Sequence, residues 1–202
     1  MILIGQYDSP FVRRVGIALT LYRIAFDHRP WSVFADAEKI RAINPLMRVP
    51  TLVLPDGLAL VDSHMMLDHL DGLVEAPLFP RAGQARTQAV RRAALACGAA
   101  KKAVALFYEQ RLHAEPSATW QDRCRLQIGS VLSALEVEEA HRPAATALPG
   151  HDDISLACTL RFIAEAHPAF DLTHYPRITT RAAALERLEV FQTIRQPFIP
   201  PT

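Results

Sequence analysis

Short apolar runs and stretches of helical periodicity alternate along residues 1–76. An apolar run of strand length comes first, and from Pro10 onward apolar residues recur at the three- and four-residue spacing of a helix with one buried face. Further along, two apolar runs flank a Pro-Asp-Gly turn at 55–57, a pattern typical of a β-hairpin. The predicted order is βαβαββα, with strands at 2–7, 26–31, 51–54 and 58–61 and helices from 10, at 36–43 and from 63.

The pattern changes after residue 76. Residues 77–84 contain two prolines and a glycine, and they predict a linker. Beyond them the apolar spacing is helical throughout, and prolines fall between the helical runs. We therefore predict an α/β domain over 1–76, followed by an all-helical domain over 85–202. The predicted helices of the second domain lie near 85–113, 118–141, 152–166 and 177–192.

Composition and charge narrow the class of protein. Of 202 residues 50% are hydrophobic and 21% charged, and the formal net charge is +1, so we expect a soluble globular protein with no nucleic-acid or membrane partner. The N-terminus lacks a signal-peptide pattern and no apolar run approaches about 18 residues, which predicts a cytoplasmic protein. The three cysteines are widely spaced and no cysteine–histidine spacing suits zinc, so we predict a reducing compartment and no metal.

Ser9, directly before Pro10 at the start of the first helix, is the first candidate site. Serine is a preferred N-cap and proline fits the first helical turn, so a purely structural role is one interpretation. The other interpretation is that a hydroxyl at the positive end of a helix stabilises an anion, for instance a sulfur anion. Tyr7, near the end of the first strand, is a rival hydroxyl or simply a half-buried strand residue. Tyr7 ranks below Ser9, because Ser9 lies at the helix start itself. The residues alone leave the structural and the functional interpretations of Ser9 open.

Two further features follow in the same domain. The Val49–Pro50 pair precedes a strand, and it is either an ordinary trans turn or a cis bond that presents the Val49 backbone to an extended peptide. Asp62 and Ser63 lie between a strand and a helix. Either of them can cap the helix, but together they also suit the ammonium and carboxylate groups of an α-amino acid.

These segments resemble those of the glutathione transferase superfamily in order and spacing over nearly the whole chain, and specifically its bacterial, serine-type members. Two departures occur: Leu46-Met47 stands where small residues are usual, and Gly150 stands where a capping-box serine is expected, although Asp153 retains the other half of the box. The matching segments are SPFVRRVGIAL at 9–19, NPLMRVPTLVLPDG at 44–57, DSHMMLDHL at 62–70, LPGHDDISLACTL at 148–160 and YPRITTRAAALERLEVFQTI at 175–194.

The resemblance implies a thioredoxin-like domain that holds glutathione, a helical domain that supplies most of the second-substrate pocket, and a homodimer. It implies that Ser9 is the thiol-activating hydroxyl. The glutathione-binding residues that it implies are Phe11, Arg48, Val49, Pro50, Asp62 and Ser63, with the Val49–Pro50 bond cis and Arg48 near a glutathione carboxylate. The second-substrate pocket would be lined by Phe107, Tyr108 and Arg111, unless the aromatic pair belongs to the helical core.

The expected activity is conjugation of the glutathione thiolate to a small hydrophobic electrophile, a detoxification reaction with glutathione as co-substrate and no metal. Serine cannot form a mixed disulfide, which favours conjugation over thiol–disulfide exchange. Two alternatives stay open. One is a glutathione-dependent disulfide reductase, peroxidase or lyase, and the other is a non-catalytic module of the same fold that binds glutathione or a protein.

Overall fold

The computed structural model describes residues 1–146 and 148–200. The chain divides into two compact units. One contains Met1–Arg81 together with the segment from Glu189 onward, and the other contains Ala82–Leu188. The first unit combines a sheet with helices and the second is helical, which confirms the predicted fold class.

The first unit contains a mixed four-stranded sheet in the order β2-β1-β3-β4. Strand β1 is parallel to β2, with Leu3 beside His28, and antiparallel to β3, with Leu3 beside Leu52. Strands β3 and β4 form the predicted hairpin. This is the thioredoxin-like arrangement, and the predicted βαβαββα order is confirmed. Its elements are β1 (Ile2–Ile4), α1 (Pro10–Leu21), β2 (Asp27–Arg29), α2 (Ala37–Arg41), β3 (Thr51–Val53), β4 (Ala59–Val61), α3 (Ser63–Gly72) and, from the end of the chain, α8 (Glu189–Thr193).

An aliphatic core joins the sheet to helices α1 and α3. Leu3 and Leu52 of the sheet, Val15 of α1 and Leu67 of α3 are all completely buried. Burying one such side chain contributes about 1.5–3 kcal/mol. Because α1 is buried along most of its length, its N-terminal end is held in a fixed position relative to the sheet.

The second unit is built around the long helix α4, which packs along both α5 and α6. Helix α4 turns an alanine-rich face inward, and the Thr159 hydroxyl of α6 donates to the Ala96 carbonyl of α4 at 3.0 Å. Small side chains allow the two helices to approach closely enough for this bond. The elements are α4 (Gly83–Leu112), α5 (Ala118–Glu139), α6 (His151–Ala166), a short 3-10 helix (Leu172–His174) and α7 (Pro176–Leu185).

Helix α6 begins after the N-cap Gly150, and its residues 151–160 are all buried. The Asp153 carboxylate accepts the Gly150 amide N–H at 3.4 Å. The carboxylate half of the capping box is therefore present, while glycine has no side chain to supply the other half. A glycine N-cap costs only a few tenths of a kcal/mol relative to serine, which explains why the helix still starts here.

Two buried carboxylates at the start of α6 are paired with arginines from other elements. Arg142 contacts both Asp152 and Asp153, each at 2.9 Å. Arg92 donates to Asp152 at 2.8 Å, and Arg181 donates to Asp153 at 3.2 Å. Although burial alone lowers the pKa of Arg142, the charges of Asp153 and Asp152 outweigh it and raise that pKa above its ordinary value. This cluster joins α4, α6, α7 and the segment that follows α5.

The structure differs from the sequence-based prediction near the C-terminus. The helix predicted over 177–192 is two helices, α7 and α8, and α8 belongs to the first unit rather than to the helical domain predicted over 85–202. Neither proline nor glycine marks the break. Leu185 and Phe191 are both completely buried, each within a different unit. Tertiary packing therefore sets the break, and local helix propensity does not show it.

We expect Asp153→Ala to lower the free energy of unfolding by about 3 kcal/mol, because it leaves the buried guanidinium group of Arg181 and the half-buried one of Arg142 without one of their carboxylates. The matched control is Asp122→Ala, which removes an exposed pair with Arg125 and should cost less than about 1 kcal/mol. Urea unfolding followed by circular dichroism measures both losses. Equal losses in the two variants would contradict the stabilising role of the buried cluster.

Candidate functional site

Ser9 caps helix α1 where the chain leaves the loop after β1. Its backbone is extended, its hydroxyl oxygen accepts the Val12 amide N–H at 3.5 Å, and Pro10 occupies the first helical position. A contact of 3.5 Å is longer than the usual hydrogen bond, so the helix engages this hydroxyl only weakly. The predicted N-cap is confirmed. Because Ser9 is only half-buried and the first-turn N–H groups make this helix end positive, its hydroxyl is also placed to contact an anion.

Tyr7, the rival hydroxyl, is packed into the first unit. Its ring stacks on His28, with the centroids 3.8 Å apart and the planes 11° from parallel. A methyl group at Gly16 of α1 would lie 2.8 Å from the Tyr7 Cε1 atom. Tyr7 is 9% exposed, and burial raises the pKa of its hydroxyl to about 12. The ring holds α1 against β2, and the hydroxyl is a weaker proton donor than an ordinary tyrosine.

Gly5 brings Val49 up to the first turn of α1. Its φ of 128° lies in the region that favours glycine. A Cβ at this position would lie 2.7 Å from the Val49 Cβ and 2.5 Å from the Val12 Cγ2. Val49 therefore lies near the helix end that Ser9 caps, and the Val49–Pro50 bond is cis, as the resemblance implies. Sequence reasoning missed Gly5, although a glycine directly after the apolar run of β1 is a usable signal.

The loop before β3 is held by Asn44, a second residue that sequence reasoning missed. The buried Asn44 amide donates to the Arg48 carbonyl at 3.0 Å and to the Thr51 Oγ1 at 2.8 Å. Met47, where small residues are usual in the family, has a φ of 51°, a left-handed conformation that costs about 1 kcal/mol. The Arg48 side chain is exposed, and its contact with a glutathione carboxylate stays a prediction.

Asp62 and Ser63 lie at the start of α3. The exposed Asp62 has a φ of 66°, and its carboxylate accepts the His64 amide N–H at 2.8 Å. Ser63 is buried, and its oxygen accepts a hydrogen bond from Nη1 of Arg14 at 3.3 Å. Because a guanidinium can only donate, the Ser63 proton is left to donate to a different group. The start of α3 therefore presents to a ligand a carboxylate, a hydroxyl that can donate, and the N–H groups of the first turn.

Arg14 is a third residue that sequence reasoning missed. It belongs to α1, is 1% exposed, and places its positive charge next to Ser63, the first residue of α3. The same Nη1 atom lies 3.5 Å from Nδ1 of His64. The signal in the sequence is the pair Arg13–Arg14 within an otherwise apolar helix, since charged residues are rarely buried without a specific partner.

The remaining predicted site residues have mixed environments. Phe11 is half-buried in the first turn of α1, and its contact with glutathione stays a prediction. On α4, in the second unit, the Phe107 ring lies 6.1 Å from the Tyr108 ring and meets the His167 ring edge-on at 6.3 Å, while Arg111 is exposed. Phe107 therefore packs within the helical unit. The assignment of these α4 residues to the second-substrate pocket stays a prediction.

Across residues 1–146 and 148–200, no group of three or more histidine, cysteine, aspartate or glutamate side chains is arranged to hold a metal ion. Within the same part of the chain, no helix is both long enough and apolar enough to span a membrane.

Known proteins resemble the chain along its whole described length. Residues 3–78 match the family model for the glutathione S-transferase N-terminal domain. A glutathione transferase family member from Pseudomonas fluorescens Pf-5, crystallised with bound glutathione, is 30% identical with a TM-score of 0.85 over 98% of this chain and 99% of that one. A glutathione S-transferase from Methylobacterium radiotolerans, in complex with glutathione sulfonate, is 25% identical with a TM-score of 0.91 over 100% of this chain and 97% of that one. The uncharacterized GST-like protein YibF of Escherichia coli K12 is 27% identical over 81% of this chain and 82% of its own length.

Together, the thioredoxin-like unit, the helical unit and these matches define the class of protein. The chain belongs to the glutathione transferase superfamily.

Proposed function

We propose that this protein is a glutathione transferase that conjugates the glutathione thiolate to a small hydrophobic electrophile, with Ser9 as the catalytic residue. The observation that carries the proposal is the contrast between the two hydroxyls after β1. Ser9 is half-buried at the positive end of α1 and only weakly engaged as a cap. Tyr7 is buried against His28, and its pKa is raised to about 12. Only the serine hydroxyl combines access with a helix end that favours an anion.

One hydroxyl and one helix end can supply the free energy needed to lower the pKa of the glutathione thiol. A free thiol has a pKa of about 8.5, so only a few per cent is ionised at pH 7. Lowering that pKa by about two units takes about 2.7 kcal/mol. A hydrogen bond to a charged sulfur supplies about 1.5–3 kcal/mol, and the helix end adds about 0.3–1 kcal/mol.

The rest of the first unit would hold the tripeptide. In this proposal the Val49 backbone pairs with the cysteinyl residue, while the Asp62 carboxylate meets the γ-glutamyl ammonium group. The Ser63 hydroxyl and the N–H groups at the start of α3 meet the γ-glutamyl carboxylate. Phe11 and Arg48 contact the remaining part of glutathione. The bound glutathione of the Pseudomonas relative and the glutathione sulfonate of the Methylobacterium relative support this assignment.

The bound thiolate would attack an electrophilic carbon of the second substrate. With an aryl halide, a carbon–sulfur bond forms, the carbon–halogen bond breaks, and halide leaves with the bonding electrons.

The cysteines favour conjugation over disulfide exchange. Residue 9 is serine and all three cysteines are buried, so the protein presents no accessible thiol for exchange with a disulfide; they are Cys97, Cys124 and Cys158. The homodimer and the pocket residues Phe107, Tyr108 and Arg111, which the resemblance implies, are part of the same proposal.

Ser9→Ala should lower kcat for a generic aryl halide about 10- to 100-fold, because it removes the donor to the sulfur. The pKa of the bound glutathione thiol should rise by about one to two units. Steady-state rates and the ultraviolet absorbance of the bound thiolate across pH measure the two effects.

Ser9→Thr is the matched control for this test, since it retains the hydroxyl and the cap and should retain most of the activity. The thermal midpoint of each variant separates catalysis from folding, because loss of the N-cap alone costs about 1 kcal/mol. Equal rates for wild type and Ser9→Ala would exclude Ser9 from the mechanism. Retention on immobilised glutathione without turnover of an aryl halide, a disulfide or a hydroperoxide would instead indicate a binding module.

Tyr7→Phe should change kcat for the same aryl halide by less than about twofold, because the variant keeps the buried ring and removes only a hydroxyl of raised pKa. Rates and thermal midpoints measured together make the comparison. A loss as large as that of Ser9→Ala would assign thiol activation to Tyr7.

Asp62→Asn and Ser63→Ala should each weaken glutathione binding about tenfold, because each loses one charge-assisted contact to the γ-glutamyl head. Neither substitution should shift the pKa of the bound thiol, since the thiol is proposed to lie at the start of α1 and the γ-glutamyl head at the start of α3. Titration calorimetry measures the affinity, and Asp68→Asn on the exposed side of α3 is the matched control. Unchanged affinity in both variants would remove this helix end from the glutathione site.

A further inference from the structure

The segment after helix α8 contacts the loop that carries Ser9. The Tyr7 amide N–H donates to Oε1 of Gln196 at 3.2 Å. From the other side, the Ile199 amide N–H donates to Oδ2 of Asp8 at 3.1 Å. The two residues immediately before Ser9 are therefore both held by residues 196–199, a segment we name the C-terminal strap.

Arg13 anchors the strap to helix α1. Its Nε donates to the Ile194 carbonyl and its Nη2 to the Phe191 carbonyl, both at 2.8 Å, and the guanidinium lies 5.5 Å from the centre of the Phe191 ring. The last carbonyls of a helix have no partner within the helix, so a buried arginine satisfies them at the end of α8. Arg13 is 1% exposed, and its own amide donates to the Ser9 carbonyl at 3.0 Å. The strap thus starts from a fixed point one helical turn beyond Ser9.

Packing reinforces these bonds along the same stretch. Ile194, just before the strap, lies against Gly16 of α1, where an added Cβ would be 3.0 Å from its Cγ2 atom. The Tyr7 ring packs against the same glycine from another side. Within the loop the Ser9 amide donates to the Gln6 carbonyl at 3.2 Å. The turn into α1 is therefore held by its own hydrogen bond, by the Tyr7 ring and by the strap.

We propose that Gln196 and Asp8 are positioning residues that act through the backbone of residues 7–9 to place the Ser9 hydroxyl. This inference rests on the proposed function. Its physical basis is that a misplacement of about 1 Å at a reacting group costs about a hundredfold in rate. The long contact between the Ser9 hydroxyl and the Val12 amide fixes the position of that hydroxyl only weakly, so its placement depends on the backbone around it. Neither residue touches the reacting atoms in this account.

Gln196→Ala in the full chain should lower kcat for an aryl halide about 5- to 50-fold and raise the pKa of the bound glutathione thiol. The affinity for glutathione at about pH 5.5, where the bound thiol is protonated in both proteins, should stay within about twofold of wild type, because the Val49 and Asp62 contacts are intact. Gln196→Glu keeps an Oε acceptor for the Tyr7 amide and should restore both kcat and the thiol pKa. Gln192→Ala is the matched control, since Gln192 is exposed on α8 and pairs with Arg195.

Asp8→Ala removes the acceptor of the Ile199 amide and should also lower kcat and raise the pKa of the bound thiol. It provides the test if Gln196→Ala does not fold. Asp8→Asn keeps an Oδ acceptor for the Ile199 amide and should retain the activity that Asp8→Ala loses, which separates the hydrogen bond from the charge. A wild-type kcat and thiol pKa in Gln196→Ala or Asp8→Ala would overturn the positioning role. Equal losses in Gln196→Ala and Gln196→Glu would overturn it as well. Wild-type protein that binds glutathione without lowering its thiol pKa would instead overturn the proposed function, and the inference with it.

Discussion

Residues 5–9 carry the chain from β1 to α1, and this short connection decides where the positive end of the helix lies. Gly5 allows Val12 and Val49 to approach, and Tyr7 packs its ring between His28 and the α1 backbone. Because α1 is buried along most of its length, the helix cannot shift to compensate for a change in this loop. The placement of the Ser9 hydroxyl is therefore a consequence of how strand, helix and loop pack together.

Much of the fold could be predicted from the sequence, because the first unit combines strong local signals. Apolar runs, the Pro-Asp-Gly turn and the Ser9-Pro10 cap each act over a few residues, and the order βαβαββα follows from them. The break between α7 and α8 could not be predicted. It has no proline or glycine, and it arises because Leu185 and Phe191 are buried in different units.

The candidate site divides in the same way between local and long-range features. The positions of Ser9, Asp62 and Ser63 at helix starts could be predicted, because helix caps are local, while their roles toward glutathione stay a proposal. Arg14 and the strap contacts could not be predicted, because each joins a side chain to residues distant in sequence. Asn44 acts within its own loop, but no local pattern shows that its amide is buried there. The pair Arg13–Arg14 within an apolar helix is a signal of burial, but it does not show which residues the arginines contact, and Gln196 has no pattern of its own. That Ser9 rather than Tyr7 meets the sulfur stays a proposal, and the burial of Tyr7, which the alternation of a short strand does not reveal, supports it.

In the proposed function, glutathione lies on the first unit with its sulfur directed at the N-terminal end of α1. The most direct measurement is a crystal structure of the complex with glutathione, read at the sulfur atom. We expect the sulfur within hydrogen-bond distance of the Ser9 Oγ, with the cysteinyl backbone paired to Val49. A sulfur nearer to the Tyr7 hydroxyl, or a tripeptide bound away from this helix end, would contradict it.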